Sequence, residues 1–383
     1  MTPQPQQQVT VAAVREAMER AYPPHLAESW DRVGLICGDP AESVSRIGVA
    51  LDCTDEVADW AIAAGLDMLV VHHPLLLRGV SSVAADTPKG RIVHKLIRAG
   101  VALFAAHTNA DSARPGVNDR LAEVLGVHPG APLAPQSPPA LDTWTVKVPA
   151  KQVSEVAEAM FAAGAGQLGD YEHCAFRVAG TGQFRPLAGA QPYVGAVGEV
   201  ETVAEERLEM IAPQSARAAI AAAVRQAHPY EEPAFEVVAN EATTVDKEKA
   251  VGIGRVGTLD EPMRFADFLA RVAERLPKTQ WGVRGAGDPD RMIRTVAVAS
   301  GAGDSFLDTA VKLGVDAFVT SDLRHHPVDE TLREAQLCIV DTAHWASEFP
   351  WCQQAADMLT EALGVPAEVI EVRTDPWNLA ARG

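Results

Sequence analysis

The sequence predicts an α/β protein made of two related halves, with a smaller α+β domain inserted between them. Short apolar runs alternate with segments of helical spacing, which is typical of a largely parallel sheet. The pattern of residues 65–71 recurs at residues 314–320. Between these copies the predicted order changes to β-α-β-β-α-β, which is typical of a ferredoxin-like domain.

The length of the chain also favours more than one domain. Its 383 residues exceed what a single hydrophobic core usually contains. We place the first half of the α/β domain at residues 1–135, the insert at 136–246 and the second half at 247–383.

The first half is predicted to alternate strands with helices. Thr54 is a suitable N-cap for its second helix, and Gly126 a suitable end for its fourth. The stretch 129–139 is rich in Pro, Ala and Gly, and we expect a linker there. The predicted helices cover residues 11–22, 55–64, 90–99 and 117–125. Residues 29–38 are predicted as a turn into a short strand, and further strands cover 47–51, 68–71 and 101–106.

The same kind of pattern predicts the strands and helices of the insert and of the second half. In the glycine-rich stretch 252–257 a tight packed turn is favoured over a phosphate-binding loop, because a third spaced glycine is lacking. The predicted insert strands are 143–148, 174–178, 207–211 and 235–238, with helices at 153–163 and 216–227. The second half has a re-entry strand within 247–260, strands at 296–299, 314–320 and 337–340, a helix at 306–313 and a last helix ending at 363–365.

Composition excludes several classes of function. The net charge of −18 argues against general nucleic-acid binding. Five cysteines without a C-x-x-C pair predict reduced thiols in a cytoplasmic protein. No apolar run approaches the roughly 20 residues that span a membrane. The chain also lacks the G-x-S-x-G and G-x-x-x-x-G-K-[ST] motifs of serine hydrolases and P-loop proteins.

Two adjacent histidines, His72 and His73, follow a buried apolar strand. Ligands in open α/β sheets bind at the carboxyl ends of strands, so both imidazoles are candidate metal ligands. Side chains at consecutive extended positions diverge, and two neighbouring ions therefore fit better than one. A polar turn with solvated histidines is the alternative interpretation.

Each half also has a histidine and an acid four residues apart: His107 with Asp111, and His344 with Glu348. On a helical turn these residues share one face. One such pair is common on a protein surface, but its recurrence in both halves, beside the histidine pair, favours a metal site. Nitrogen and oxygen donors without thiolate suit Zn, Mn or Fe(II). Two such ions would support hydrolytic chemistry.

Four other residues are candidates on the same edge. Asp52 and Asp322 follow strands and would orient a ligand or contact substrate, although helix capping also explains Asp52. Trp30 could wall a cleft, although a place in the core is the favoured interpretation. For Trp345, core and cleft wall both remain open.

Six motifs occur in order along both flanking parts of the chain: Trp30-Asp31-x-Val33-Gly34-Leu35, Leu51-Asp52-x-Thr54, His72-His73-Pro74, His107-Thr108-Asn109-x-Asp111, Thr320-x-Asp322 and His344-x-x-x-Glu348. Together they resemble the Nif-three-like dinuclear-metal family, also described as GTP cyclohydrolase 1 type 2. The insert, with the motif at residues 228–233, is similar to the CutA-like or PII-like domain of longer members.

The resemblance implies a metal site and an assembly. It implies two divalent ions of Zn, Mn or Fe per chain, with His107 close by as a further ligand, and a toroidal homo-hexamer whose sites face an internal cavity. The residues that match the family's ligands are His72, His73, Asp111, His344 and Glu348. The sequence departs from the residues usual in that family at Arg32, Ser300–Gly303, Ser321 and Arg324–His326. These departures leave the ligand set intact and alter the expected substrate pocket.

The leading hypothesis is a dinuclear, divalent-metal-dependent hydrolase with a small-molecule substrate. The resemblance to GTP cyclohydrolases implies that this substrate is a nucleotide and that the reaction opens its purine ring. His107 or His326 would move protons, and Asp322 would assist. The alternative is a non-enzymatic, ring-shaped metal-binding or regulatory scaffold whose insert senses a ligand. Turnover of GTP by metal-loaded protein, lost on chelation, distinguishes the two.

Overall fold

The computed structural model describes residues 8–136, 140–169, 171–240 and 250–381. The described chain divides into two compact units. Residues 8–136 and 250–381 form the larger unit, and residues 140–240 form the smaller unit.

The first half of the larger unit alternates helices with short buried strands. The Thr54 hydroxyl accepts a hydrogen bond from the Val57 amide, and Gly126 ends α5 with a positive φ of 75°, so both predicted helix ends are confirmed. The elements are α1 (Val11–Ala21), β1 (Gly34–Cys37), β2 (Ile47–Ala50), α2 (Asp55–Ala63), β3 (Met68–Val71), α3 (Pro88–Ala99), β4 (Ala102–Ala105), α4 (Thr108–Ser112), α5 (Val117–Leu125), β5 (Val127–Pro129) and β6 (Ala134–Pro135).

The smaller unit has the predicted β-α-β-β-α-β order. Its strands form an antiparallel sheet in the order β10-β7-β9-β8, and one face of that sheet packs on both helices. The hairpin of β8 and β9 is longer than predicted, because its ladder continues through polar and glycine residues that give no apolar alternation. The elements are β7 (Leu141–Pro149), α6 (Val153–Ala162), β8 (Phe176–Phe184), β9 (Glu201–Pro213), α7 (Arg217–Ala227) and β10 (Phe235–Ala239).

The second half of the larger unit repeats the order of the first. It begins with two strands that follow the insert and ends with a long helix and a short strand. The elements are β11 (Gly252–Ile253), β12 (Arg255–Arg264), α8 (Phe265–Arg275), β13 (Val283–Ala286), β14 (Met292–Ala302), α9 (Leu307–Leu313), β15 (Ala317–Ser321), α10 (His325–Glu334), β16 (Cys338–Thr342), α11 (His344–Glu348), α12 (Pro350–Leu363) and β17 (Ala367–Val369).

Each half contributes a mixed sheet, and the two sheets exchange edge strands. The orders are β1-β4-β3-β2-β17 and β13-β16-β15-β14-β12-β5. In both, three parallel strands lie beside one antiparallel strand, so β1 to β4 correspond to β13 to β16. β17 of the second half joins the sheet of the first half, and β5 of the first half joins the sheet of the second. The two halves therefore form a single unit.

The prediction of a linker at 129–139 is wrong for the part that the structure describes. Pro129 pairs with Gly257 in β12, and Pro135 pairs with Gly252 in β11, whereas residues 137–139 lie outside the described ranges. Proline is tolerated in such edge strands, so a stretch rich in proline need not be a linker. The stretch 252–257 is closely packed but is not a single turn, because β11 and the start of β12 flank a bend at Gly254. Gly254 has φ +71°, and a Cβ there would lie 2.7 Å from the Val298 carbonyl oxygen.

The structure also bears on the thiols and on membrane insertion. All five cysteines lie within the described residues, and all are free thiols. Among the helices that the structure describes, none has the length and apolarity needed to cross a bilayer.

A buried ion pair joins the two halves. The Arg255 side chain in β12 is fully buried, and its Nε and Nη2 lie 2.8 and 2.7 Å from the two carboxylate oxygens of Asp119 in α5. Its Nη1 donates to the carbonyls of Gly252 and Gly254. The guanidinium is thus bonded on several sides, so removal of the cation would leave a buried carboxylate without its counter-charge.

We expect Arg255→Leu to lower the free energy of unfolding by about 3–5 kcal/mol, because Asp119 would stay buried and uncompensated. Arg264→Leu is the matched control, since Arg264 ends the same strand and forms an exposed pair with Asp290. That change should cost less than about 1 kcal/mol. Urea unfolding followed by circular dichroism measures both. Equal losses in the two variants would contradict the role given to Arg255.

Candidate metal centre

The carboxyl ends of the two sheets supply one cluster of histidines in the larger unit. His72 and His73 follow β3, His107 follows β4, and His344 follows β16. The ring centroids of His72 and His73 are 5.1 Å apart, and those of His73 and His344 are 5.3 Å apart. The His107 ring lies 5.1 Å from that of His72. Side chains from both halves therefore meet at one place.

Each of the two histidines that follow β3 is held by its own oxygen atom, which is bonded to Nδ1 of the ring. The fully buried His72 ring places Nδ1 2.9 Å from the Ala106 carbonyl oxygen, to which it donates. His73 Nδ1 lies 2.7 Å from a carboxylate oxygen of Asp52, and Thr374 donates to the other oxygen of the same carboxylate. Since carbonyls and carboxylates only accept, both rings keep Nε2 free of a proton when neutral, as metal ligands require.

The other two histidines are held in the same way. His107 Nδ1 lies 2.9 Å from Asp31, and Asp31 also accepts from Thr108. Burial opposes ionisation of Asp31, but the bonds from His107 and Thr108 outweigh it and hold the pKa of Asp31 below its usual range. His344 Nδ1 lies 2.7 Å from Asp322, which follows β15 with a positive φ of 57°. Asp tolerates this conformation better than most residues.

Two carboxylates, the buried Glu348 and the partly buried Asp111, lie between the imidazoles. His344 and Glu348 lie on the short helix α11, and His344 Nε2 is 3.2 Å from Glu348 Oε1. Glu348 Oε2 is 3.0 Å from His73 Nε2, without the alignment of a hydrogen bond. Asp111, on α4, lies 3.7 Å from His72 Nε2 and accepts from Ser300. Both pairs spaced four residues apart are thus on helical turns, as expected.

These carboxylates favour positive charge at the cluster. Burial would lower the pKa of His73, but Glu348 and Asp52 outweigh it and raise that pKa to about 10. The charge of Glu348 is also the main reason why the pKa of His344 rises to about 11. Burial opposes ionisation of Glu348, yet His344 and His73 keep its pKa well below the usual range. Burial raises the pKa of Asp111.

The chemistry of the cluster fits a divalent metal. His72 Nε2 and Glu348 Oε2 are buried polar atoms without a hydrogen-bond partner within the described residues. Ligand atoms of His72, His73 and His107 lie within 4.8 Å of one another, and so do those of a second group, His73 with His344 and Glu348. Positively charged ions would complete both groups, since the donors are imidazoles and carboxylates.

A glycine keeps this space open. Gly301, at the end of β14, has φ +63°, and a Cβ there would lie 2.4 Å from Glu348 Oε1 and 3.2 Å from His344 Nε2. Any larger residue would enter the volume between the donors. The Gly301 amide also donates to the Ser347 hydroxyl at 3.0 Å, which fixes the loop beside α11.

The structure brings most of the predicted site residues together. Asp322 and Asp52 each contact a histidine of the cluster. The predicted metal ligands lie close to one another. His326 lies exposed on the first turn of α10 beside His325, and the described contacts include none between His326 and the cluster. The cluster contains these members of the predicted ligand and catalytic sets: His72, His73, His107, Asp111, Asp322, His344 and Glu348.

Other residues depart from the predictions. The interpretation of Trp30 as core is wrong: 54% of it is exposed, and its ring meets the edge of His107 at 5.9 Å. Trp345, which was left open, is buried against Phe349. Sequence reasoning assigned no role to Asp31, although its place in the Trp30-Asp31 motif was a signal. Nothing in the sequence points to Thr374.

Comparison with known proteins gives the family. The model of the Duf34/NIF3 (NGG1p interacting factor 3) family matches residues 9–376. A Mycobacterium leprae protein described as "GTP cyclohydrolase 1 type 2 homolog" is 52% identical over 375 residues, which cover 97% of this chain and 96% of that protein.

Solved structures agree over nearly the whole chain. A Bacillus cereus protein related to NIF3 is 34% identical, with a TM-score of 0.72, and the match covers 98% of this chain and all of that one. A Staphylococcus aureus protein matches with 27% identity and a TM-score of 0.75 over 97% of this chain and 99% of its own. The chain belongs to the Duf34/NIF3 family.

Proposed function

We propose that this chain is a dinuclear, divalent-metal-dependent hydrolase of the GTP cyclohydrolase type. The observation that carries the proposal is the set of imidazoles whose Nδ1 atoms are bonded to oxygen and whose Nε2 atoms gather around buried carboxylates. Structural ion pairs rarely need this arrangement, whereas metal-binding histidines are generally held by such oxygens.

Each residue then has a defined task. His107 is a further donor at the edge of the site, where it can also hold or release a proton. The carboxylates of Asp31, Asp52 and Asp322 orient three of the rings. Divalent ions such as Zn, Mn or Fe would supply Lewis acidity for hydrolysis. The residues proposed to hold two ions are His72, His73, Asp111, His344 and Glu348.

Two observations support a purine nucleotide as the substrate. Relatives of this chain are named as homologues of GTP cyclohydrolase 1 type 2. The half-exposed Trp30 ring beside His107 offers a flat surface on which a planar purine could stack. We assign proton transfer to His107 rather than to His326, because His107 is the one that touches the cluster in the described chain.

A non-enzymatic role is the second candidate. The smaller unit contains a cavity of its own, which favours a scaffold that senses a ligand through its insert. Both candidates use the same metal-binding residues, so metal content tests the site, and turnover decides between the functions.

The first test is metal content. Protein loaded with Zn²⁺ or Mn²⁺ should bind two ions per chain, and His73→Ala or Glu348→Ala should reduce that number, because each removes a donor from the cluster. Asp322→Asn should weaken binding about 10- to 100-fold by releasing the His344 ring. Elemental analysis after gel filtration measures the content, and titration against a chelating dye measures the affinity.

The control is His128→Ala, which removes an exposed histidine paired with Asp260 outside the cluster. It should retain both ions. Affinity should rise with pH, because pKa values of about 10 and 11 mean that protons on His73 and His344 must leave before an ion binds. Full metal retention in both His73→Ala and Glu348→Ala would refute the site.

The second test is turnover. Metal-loaded protein should open the purine ring of GTP, and a chelator should abolish the reaction. Trp30→Ala should raise KM by about 5- to 100-fold, since stacking of a base on an aromatic ring is worth about 1–3 kcal/mol. Trp377→Ala is the control, because Trp377 is similarly exposed but lies beside Trp281, with the two rings tilted against each other. Chromatography of the products gives the rates.

The outcome separates the two candidates. If fully loaded protein turns over neither GTP nor other purine nucleotides while it retains both ions, the hydrolase proposal fails and the scaffold stands. If turnover occurs with an unchanged KM in Trp30→Ala, the stacking surface lies elsewhere.

A further inference from the structure

The smaller unit contains a cavity of about 580 Å³ that the hydrolase proposal does not use. It lies where the end of β8, the following loop and the segment before β10 come together. A volume of this size accommodates a small molecule. Its lining includes aromatic rings and carboxylates: Phe184, Tyr193, Tyr230, Glu205, Glu231 and Glu232.

The aromatic residues form one wall. The rings of Phe184 and Tyr230 are 5.7 Å apart at 63°, and those of Tyr193 and Tyr230 are 6.4 Å apart at 53°. All three rings belong to residues that line the cavity. The faces of aromatic rings carry partial negative charge and attract cations.

The carboxylates add formal negative charge. Glu205 accepts a hydrogen bond from the Tyr230 hydroxyl at 2.9 Å, and Glu231 accepts one from the Gln191 amide at 3.1 Å. Burial and the neighbouring Glu205 raise the pKa of Tyr230, so its hydroxyl remains a donor. Lys147 is the cation of the lining, and the three carboxylates outnumber it.

The segment that carries these groups is anchored. His228 Nε2 donates to the Lys147 carbonyl at 2.9 Å, and His228 Nδ1 accepts from the Tyr230 amide at 3.1 Å. This neutral tautomer connects residues 228–230 to β7. Gly182 provides room on the opposite side, because a Cβ there would lie 2.2 Å from Glu205 Oε2. The cavity is therefore shaped before any ligand arrives.

We propose that this cavity binds a small organic cation, a protonated amine or a quaternary ammonium group. Carboxylates and aromatic rings that line the same cavity complement such a charge. An anion would meet an excess of carboxylates on a chain of net charge −18. A bare metal ion would need several converging oxygens, and the aromatic wall supplies few of these. The proposal does not depend on the metal centre.

The test compares charged probes with neutral molecules of the same shape. Tetramethylammonium and butylammonium are titrated into the full chain by calorimetry, against tert-butanol and butanol. We expect the two cations to bind and the two alcohols to bind at least about tenfold more weakly, because the alcohols are close to the cations in size but carry no charge.

Variants locate the binding. Glu205→Gln, Glu232→Gln and Tyr230→Leu should each weaken the binding of tetramethylammonium between about twofold and thirtyfold. Glu236→Gln is the matched control: Glu236 is an exposed acid in β10 of the same unit and does not line the cavity. It should leave the affinity unchanged. Circular dichroism checks that Tyr230→Leu folds, and the two Gln variants test the proposal without altering the aromatic wall.

Several outcomes would overturn the proposal. It fails if the alcohols bind as tightly as the cations, if no cation binds, or if both Glu205→Gln and Glu232→Gln retain full affinity. None of these results affects the metal centre, since metal content and GTP turnover report on the other unit.

Discussion

The constraint on which the site depends is the bond between an oxygen atom and Nδ1 of each clustered imidazole. A ring held at Nδ1 can direct its Nε2 in only one direction, so the backbone that carries the oxygen determines where the donor points. The four oxygens come from separate segments, each beyond a strand or turn of the larger unit. They belong to Ala106, Asp52, Asp31 and Asp322.

The fold holds those segments in register. The carboxyl ends of β3 and β4 in one sheet face the ends of β15 and β16 in the other, and the exchange of β5 and β17 prevents the halves from separating independently. The buried pair of Arg255 and Asp119 joins the same halves at a second place. Packing elsewhere in the larger unit thus stabilises a fold that gathers carboxylates at the site. The raised pKa values of His73 and His344 show how strongly the cluster favours positive charge.

Local patterns predicted much of this arrangement, and long-range pairing explains what they missed. The alternation of strands and helices, and the two pairs spaced four residues apart, depend on neighbours in sequence. The exchange of β5 and β17 depends on partners far along the chain. The contact of His107 with Asp31 joins residues 76 positions apart, and no periodicity reveals it. Trp30 was misjudged because an apolar ring predicts burial unless a site keeps it exposed.

The most direct test of the central claim is X-ray absorption spectroscopy on zinc-loaded protein. We predict nitrogen and oxygen neighbours, including imidazole, and a second zinc about 3.5–4 Å from the first, the spacing usual for two-metal hydrolytic sites. Glu348→Ala should remove the zinc–zinc signal, because its carboxylate lies between His73 and His344. A single zinc without a metal neighbour in fully loaded wild-type protein, or sulfur ligands, would contradict the proposed dinuclear centre.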